Sequence, residues 1–295
     1  MKYKFIFLFS LSLISLLVVS CGSFSYNYPK DDFNFMVISD EHVSEDTTIN
    51  FHLTHLINNI NKNKYPNLKF LISTGDNVDH VYNHYYSDSL NKSVNYLEKF
   101  SNIIKSVNIP YYLVMGNHDF EIDSDRGSNA HFTNPEIKKM EKLFTKITGF
   151  KPYYSFVENN WQFIILNSMS GRYHDRFFDD IQIKFLSEKL KNNLPTILFF
   201  HYPLKTDHFR FWCWPSAMIS KGEEPEFYNL LDKNKKLIKA IFVGHGHSWQ
   251  HDKLDKIIDV YETESFGYSN GLPFYVVGIN KVTQKVSVAR TPLKK

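Results

Sequence analysis

The chain has 295 residues, 43% of them hydrophobic, enough for one large globular domain or two small ones with a proper core. Lys and Arg number 34 against 31 Asp and Glu, a net charge of +3. No basic block stands out beyond Lys233-Asn234-Lys235-Lys236 and the final Lys294-Lys295, so nothing favours a nucleic-acid partner.

The first twenty residues differ in kind from the rest. Lys2 and Lys4 precede an uncharged stretch from Phe5 to Val19, and Ser20-Cys21-Gly22 follow. That stretch is shorter than the roughly 20 residues needed to span a bilayer, so residues 1–20 read as a cleavable signal peptide. Cys21 after the small Ser20 resembles a bacterial lipobox. That resemblance implies lipidation of Cys21 and anchoring of the mature chain to an envelope membrane, periplasmic or surface-exposed; plain secretion is the alternative. Acylated Cys21 would leave Cys213 as the sole thiol, with no intramolecular disulfide. Residues 21–30 read as a tether, and residues 31–295 as one domain with no dividing linker.

In chain order, Asp31 to Ser39 is a near-continuous apolar run expected to form a buried strand, ending in Asp40-Glu41-His42. Thr48 to Lys62 has apolar residues at helical spacing. Leu68 to Ser73 is a second strand, ending in Gly75-Asp76-Asn77-Val78-Asp79. Ser87 to Ser106 is expected to be helical, and Ile109 to Met115 a strand ending in Gly116-Asn117-His118-Asp119. Asn134 and Pro135 suggest the cap and first turn of a helix. Tyr153 to Val157 and Trp161 to Leu166 flank a hairpin turn at Glu158-Asn159-Asn160. Asp179 to Lys191 and Glu226 to Asn234 read as helices. Pro195 to Phe200 reads as a strand ending in His201, and Ile238 to Val243 as one ending in Gly244-His245-Gly246-His247. Ile257 to Glu262, Pro273 to Ile279 and Lys285 to Arg290 are expected to be strands, the last two a hairpin. The alternation indicates an α/β fold with a largely parallel first sheet, whose sites lie beyond the carboxyl ends of its strands.

The polar clusters fall at those ends: Asp40 and His42, Asp76, Asn117 with His118, His201, then His245 and His247. One such cluster alone is ordinary turn chemistry; five in one domain are a ligand set. Carboxylates, imidazoles and one amide carbonyl suit borderline divalent ions such as manganese, iron, zinc or nickel. No thiolate takes part, which disfavours a closed structural zinc site. Seven ligands exceed what one ion needs and match two ions sharing a carboxylate. Two ions about 3.5 to 4 Å apart clamp a phosphate oxygen and turn a bridging water into the attacking hydroxide.

These blocks resemble the calcineurin-like metallophosphoesterase superfamily: Asp-x-His at 40 to 42, Gly-Asp-x-x-Asp at 75 to 79, Gly-Asn-His-Asp at 116 to 119, an isolated His201 and Gly-His-x-His at 244 to 247. The resemblance spans about residues 33 to 250. It implies a two-sheet β-sandwich flanked by helices, with the late strands in the second sheet. It further implies one ion held by Asp40, His42, Asp76 and His247, and another by Asp76, Asn117, His201 and His245. His118 would face the substrate, stabilising the phosphoryl oxygens or protonating the leaving group, with Asp119 orienting its ring. Asp79 reads either as a carboxylate behind the ligands or as a turn residue. Purple acid phosphatases, which have a Gly in place of His42 and a Tyr in place of Asp79, fit poorly.

The other eight histidines read as surface or pocket-rim groups. In the loop Lys205 to Gly222, Arg210 is a candidate for the substrate phosphate and Trp212 or Trp214 for its organic part; packing of the loop is the competing role for the aromatics. The expected function is metal-dependent hydrolysis of a phosphomonoester or phosphodiester. The alternative is a catalytically idle envelope lipoprotein that binds a partner. An intracellular protein phosphatase is disfavoured by the signal segment, and a DNA exonuclease by weak basic character.

Overall fold

The computed structural model describes residues 31–82, 94–120, 133–172, 176–206 and 218–293. The elements in order are β1 (Phe33–Ile38), α1 (Thr47–Asn61), β2 (Leu68–Ser73), α2 (Tyr96–Ile104), β3 (Tyr111–Leu113), a 3-10 turn (His118–Phe120), α3 (Asn134–Thr148), β4 (Tyr154–Glu158) and β5 (Trp161–Ile165). Then follow α4 (Asp180–Leu190), β6 (Thr196–Phe199), α5 (Pro225–Lys233), β7 (Ile238–Val243), β8 (Gln250–Leu254), β9 (Ile258–Glu262), β10 (Pro273–Asn280) and β11 (Lys285–Pro292).

One sheet has the order β11-β10-β1-β2-β3 and the other β4-β5-β6-β7-β9-β8. β1, β2 and β3 run parallel, as do β5, β6, β7 and β9, so their carboxyl ends gather at one edge of each sheet. Strand alternation divides the core in two. Phe33, Phe35 and Val37 face an aromatic layer between the sheets, with Phe70, Phe163, Phe199 and Phe242. Met36 and Ile38 face outward into a second cluster that includes Leu53, Leu56 and Ile57 of α1 and Phe100 of α2. The structure is therefore an α/β two-sheet sandwich with helices outside.

Local chemistry sets the ends of the elements. Asp46 caps α1 by accepting from the Thr48 N–H at 2.7 Å. The β4-β5 hairpin turns on Asn159 and Asn160, at φ 50° and 62°, the left-handed pair that a tight two-residue turn requires. At α3 the cap is Thr133, one residue earlier than expected, and Glu136 reaches back to complete a capping box.

Several expectations need correcting. β10 and β11 do not join the second sheet; β10 pairs antiparallel with β1, Phe33 opposite Ile279, and extends the first sheet. The helix expected from Ser87 begins, among the described residues, at Tyr96, where Asn95 caps it and leaves Val94 exposed. The third strand is confined to Tyr111–Leu113. β8 was not foreseen, because Gln250-His251-Asp252-Lys253-Leu254 is a polar edge strand with no apolar run. Among the described residues no helix is long and apolar enough to cross a membrane.

Candidate metal centre

The polar strand ends meet in one place. Behind β1, His247 Nε2 lies 3.3 Å from Asp40 Oδ1 and 3.1 Å from His42 Nε2, which is itself 3.9 Å from Asp40 Oδ1. Behind β2, β3 and β6, His201 Nε2 lies 3.1 Å from Asp76 Oδ2 and 3.0 Å from Asn117 Oδ1, and His245 Nδ1 lies 2.8 Å from the same amide oxygen. Two trios thus converge, Asp40 with His42 and His247, and Asp76 with His201 and His245. The His245 N–H donates to both oxygens of Asp40, joining the two groups.

The backbone is bent to achieve this. Asp40, His42, Asp76, His245 and His247 all have φ between 49° and 71°, a region that side-chain-bearing residues seldom enter. Such strain persists where the surrounding structure over-determines it, commonly at functional sites. Gly116 is required by contact: a Cβ there would collide with the backbone and carboxylate of Asp76.

The electrostatics favour positive charge at this point. His201 Nδ1 donates to the Thr74 carbonyl at 3.0 Å, which turns Nε2 toward Asp76 Oδ2 and Asn117 Oδ1. Burial opposes a charged ring, yet Asp76 and Asp40 overcome it and push the His201 pKa up to about 9, so a proton on Nε2 occupies the position that a cation would take. Burial likewise works against ionised Asp40 and Asp76, but the imidazoles hold both below the usual carboxylate range. His245, buried and beside His201, is pushed down to about 3 and is neutral. The donor set of oxygen and neutral nitrogen fits divalent ions, and the Asn117 side chain points its oxygen inward while its buried amide nitrogen has no partner.

Around the trios, Asp79 proves more than a turn residue. Its Oδ1 is 3.4 Å from His42 Nδ1 and its Oδ2 3.2 Å from His80 Nδ1. The His118 N–H donates to Asp76 Oδ1 at 2.9 Å, and His118 Nδ1 lies 2.7 Å from the Asp79 carbonyl. The expectation that Asp119 orients the His118 ring is therefore corrected. Asp119 accepts instead from the Gly116 N–H and the Asn77 amide, both at 2.8 Å, and from the Val78 N–H at 3.3 Å, tying the two loops together. His80, expected at the surface or the pocket rim, is buried between Asp79 and Glu45. His251 is at the surface, 2.8 Å from Asp259.

Sequence reasoning missed Tyr268. Its ring lies over His42 at 4.7 Å, and its hydroxyl donates to Asp79 Oδ1 at 3.1 Å. The segment after β9 carries it, held by bonds from Phe266 N–H to the Ser39 carbonyl and from Gly267 N–H to the Asp40 carbonyl. The signal was available, since Glu262-Thr263-Glu264-Ser265 is one more polar cluster after an apolar strand. Arg210, Trp212 and Trp214, like Cys21 and the signal segment, lie outside the described residues.

Comparison with known proteins agrees with this geometry. Residues 33–249 match the model of the calcineurin-like phosphoesterase family. No curated protein matches the chain significantly by sequence. Among solved structures, the fold is similar to that of a dimetal phosphatase from Danio rerio, at 13% identity and TM-score 0.59, covering 84% of this chain and 93% of that one. It is also similar to a putative 5'-nucleotidase from Staphylococcus aureus, at 13% identity and TM-score 0.51, covering 89% of this chain and 54% of that one. A 5'-nucleotidase from Candida albicans gives 15% identity and TM-score 0.51, covering 91% of this chain and 52% of that one, so the chain spans about half the length of either nucleotidase. With the family matched across both ligand trios, the chain belongs to the calcineurin-like phosphoesterases and is a metal-dependent hydrolase of phosphoesters.

Proposed function

We propose a binuclear phosphoesterase in which Asp40, His42, Asp76 and His247 hold one divalent ion and Asp76, Asn117, His201 and His245 the other, with Asp76 shared. The observation that carries it is His201 Nε2, turned by the bond its other nitrogen gives Thr74 toward Asp76 Oδ2 at 3.1 Å and Asn117 Oδ1 at 3.0 Å, a position that favours positive charge and where a bound ion would displace the ring proton. When bound, the ions supply Lewis acidity toward the phosphoryl oxygens and an activated water as nucleophile. The ions are manganese, iron, zinc or nickel by donor type, and the ester is a monoester or a diester, since both call on the same groups.

The chain's own residues supply the rest. His118 is fixed at both ends, its N–H on Asp76 and its Nδ1 on the Asp79 carbonyl. With Nδ1 acting as donor, Nε2 is the atom that steadies a phosphoryl oxygen or passes a proton to the leaving oxygen. Asp79 and Tyr268 hold the His42 ring in register. Arg210, Trp212 and Trp214 are assigned to substrate contact on sequence grounds alone. The same holds for anchoring through Cys21 to a bacterial envelope membrane, which Cys21→Ser would abolish by releasing the protein from the membrane fraction.

The test is hydrolysis of a matched aryl phosphate monoester and diester by protein from Ser23 onward, stripped of metal and then given manganese, zinc or iron. Turnover restored by metal and absent in Asp76→Asn supports the reading, and the preferred ester defines the class. Protein that binds no metal at all would end it.

A further inference from the structure

We propose that Arg172 is an anion subsite beside the metal centre, selecting substrates with a second negative group, a phosphate or a carboxylate, beyond the scissile phosphoryl. The proposal rests on the phosphoesterase reading above and adds a substrate class to it.

Arg172 lies past the carboxyl end of β5, on the same edge of the second sheet as His201 and His245. Its guanidinium sits over two buried rings, 4.9 Å from the centroid of Phe177 and 5.7 Å from that of Tyr202. The Tyr202 ring is 4.5 Å from that of His245, so one aromatic side chain separates the arginine from a candidate ligand. Phe177 and Tyr202 are inclined 71° to each other, so the guanidinium lies flat on at most one of them, and the N–H groups turned away from the rings remain to donate to a phosphate or carboxylate. Among the described residues no carboxylate pairs with Arg172 and no acceptor takes a hydrogen bond from its side chain, which is half-buried.

The loop is built to hold this placement. The Tyr202 N–H donates to Ser168 Oγ at 3.2 Å, tying the residue whose ring lies beside His245 to the loop that carries Arg172. Gly171 touches the Phe178 backbone where a Cβ would lie 2.8 Å away, so no other residue lets the loop close there. Buried Glu224 accepts from the Phe177 and Phe178 N–H groups at 2.6 and 3.1 Å, fixing the ring under the guanidinium. Arg176, four residues on, is spent on Asp180 and Glu224, whereas Arg172 is not.

The test uses three esters of one length, pentyl phosphate, pentanediol bisphosphate and phosphorylated hydroxypentanoate, with the metal-loaded wild type, Arg172→Gln and Arg172→Lys. A bidentate charged contact should make kcat/KM for one or both charged-tail esters about tenfold higher than for pentyl phosphate, mainly through KM, with Arg172→Gln bringing that ratio to within about twofold of unity and Arg172→Lys falling between. Which charged tail is preferred tells phosphate from carboxylate. Calorimetric binding of pentane bisphosphonate relative to pentylphosphonate gives the same ratio without turnover, so the subsite is tested even if the wild type hydrolyses none of the three, a result that counts against the phosphoesterase reading alone. Absence of a charged-tail preference in the wild type overturns the subsite. So does a preference that survives in Arg172→Gln, or a loss shared equally by all three ligands, which would make Arg172 a packing piece.

Discussion

The same strands build two regions of opposite character a few residues apart. Between the sheets, Phe35 meets Phe70 at 4.8 Å, Phe163 at 5.6 Å, and Phe199 and Phe242 at 6.1 Å, with no polar atom required. Just beyond, four of these strands lead into Asp40, Asp76, His201 and His245, whose oxygens and ring nitrogens converge. The aromatic layer depends on area and shape, and its backbone is relaxed strand. The ligand cluster depends on direction, and five of its residues occupy left-handed backbone. A sandwich of this kind therefore places its stability and its chemistry in separable groups, which gives the predictions a common form: a change in one region should spare the other.

The largest effect is expected at Asp76, which faces both halves of the cluster. Asp76→Ala should lower metal-restored kcat by about a thousandfold or more, since it removes a ligand common to both proposed ions. Its metal-free melting temperature should fall, through loss of the 3.1 Å pair with the buried His201 ring and not through the aromatic layer, which the change leaves untouched. Kinetics beside metal-free calorimetry reads both, and retained turnover would refute a shared role for Asp76.

Phe35→Ala should do the reverse. Phe35 is fully buried among four rings, so truncation should cost about 3 to 5 kcal/mol in denaturant unfolding. Metal stoichiometry in the folded fraction should be unchanged. A loss below about 1 kcal/mol would mean that the layer repacks far more freely than its stacking suggests.

What could be read from the sequence follows the same division. The residues of the candidate metal centre were legible because each follows an apolar run, so strand and polar cluster were found together. The roles of neighbours were less so. Asp119 beside His118 suggested a partner, but the 3-10 turn at His118–Phe120 directs the carboxylate back to Gly116 and Asn77. Sequence adjacency says little about direction once the chain leaves its strand. The sheet of β10 was misassigned for another reason: its residues say strand, but pairing of Ile279 with Phe33 is long-range and has no local signature. Tyr268 escaped because it is one exposed aromatic in a polar loop, and only the hydrogen bonds of that loop to Ser39 and Asp40 bring it to His42.

A milder effect is expected at Glu262, which belongs to neither region. It ends β9, is buried, and accepts from Ser248 at 3.0 Å. Burial, with the Asp40 charge adding to it, outweighs that bond and pushes its pKa from 4.5 up to about 7. The folded chain thus keeps a proton that the unfolded chain has released. The stability this contributes is complete below about pH 4.5, declines as pH rises, and is lost above about 7, a span on the order of 3 kcal/mol. In Glu262→Gln that part of the decline should vanish. Unfolding free energies of parent and variant at about pH 5 and 8 measure it, and parallel curves would contradict a protonated Glu262.

The smallest effect sharpens the boundary between the regions. Asp79 is no proposed ligand, yet Tyr268 donates to it and His42 Nδ1 stands 3.4 Å away. Its two imidazole neighbours, His42 and His80, hold it well below the usual carboxylate range, so it is anionic at any working pH. A carboxylate behind a ligating imidazole fixes the ring and raises its basicity, and loss of such partners lowers metal affinity by about 10 to 100-fold. Asp79→Asn should fall in that range for the ion on the His42 side, while the ion on the His201 side keeps its affinity. Tyr268→Phe, which removes one donor but leaves the carboxylate, should weaken the same ion less. Stepwise metal titration resolves the two ions. Equal weakening of both would mean that Asp79 acts through the loop it shares with Asp76 and not through His42.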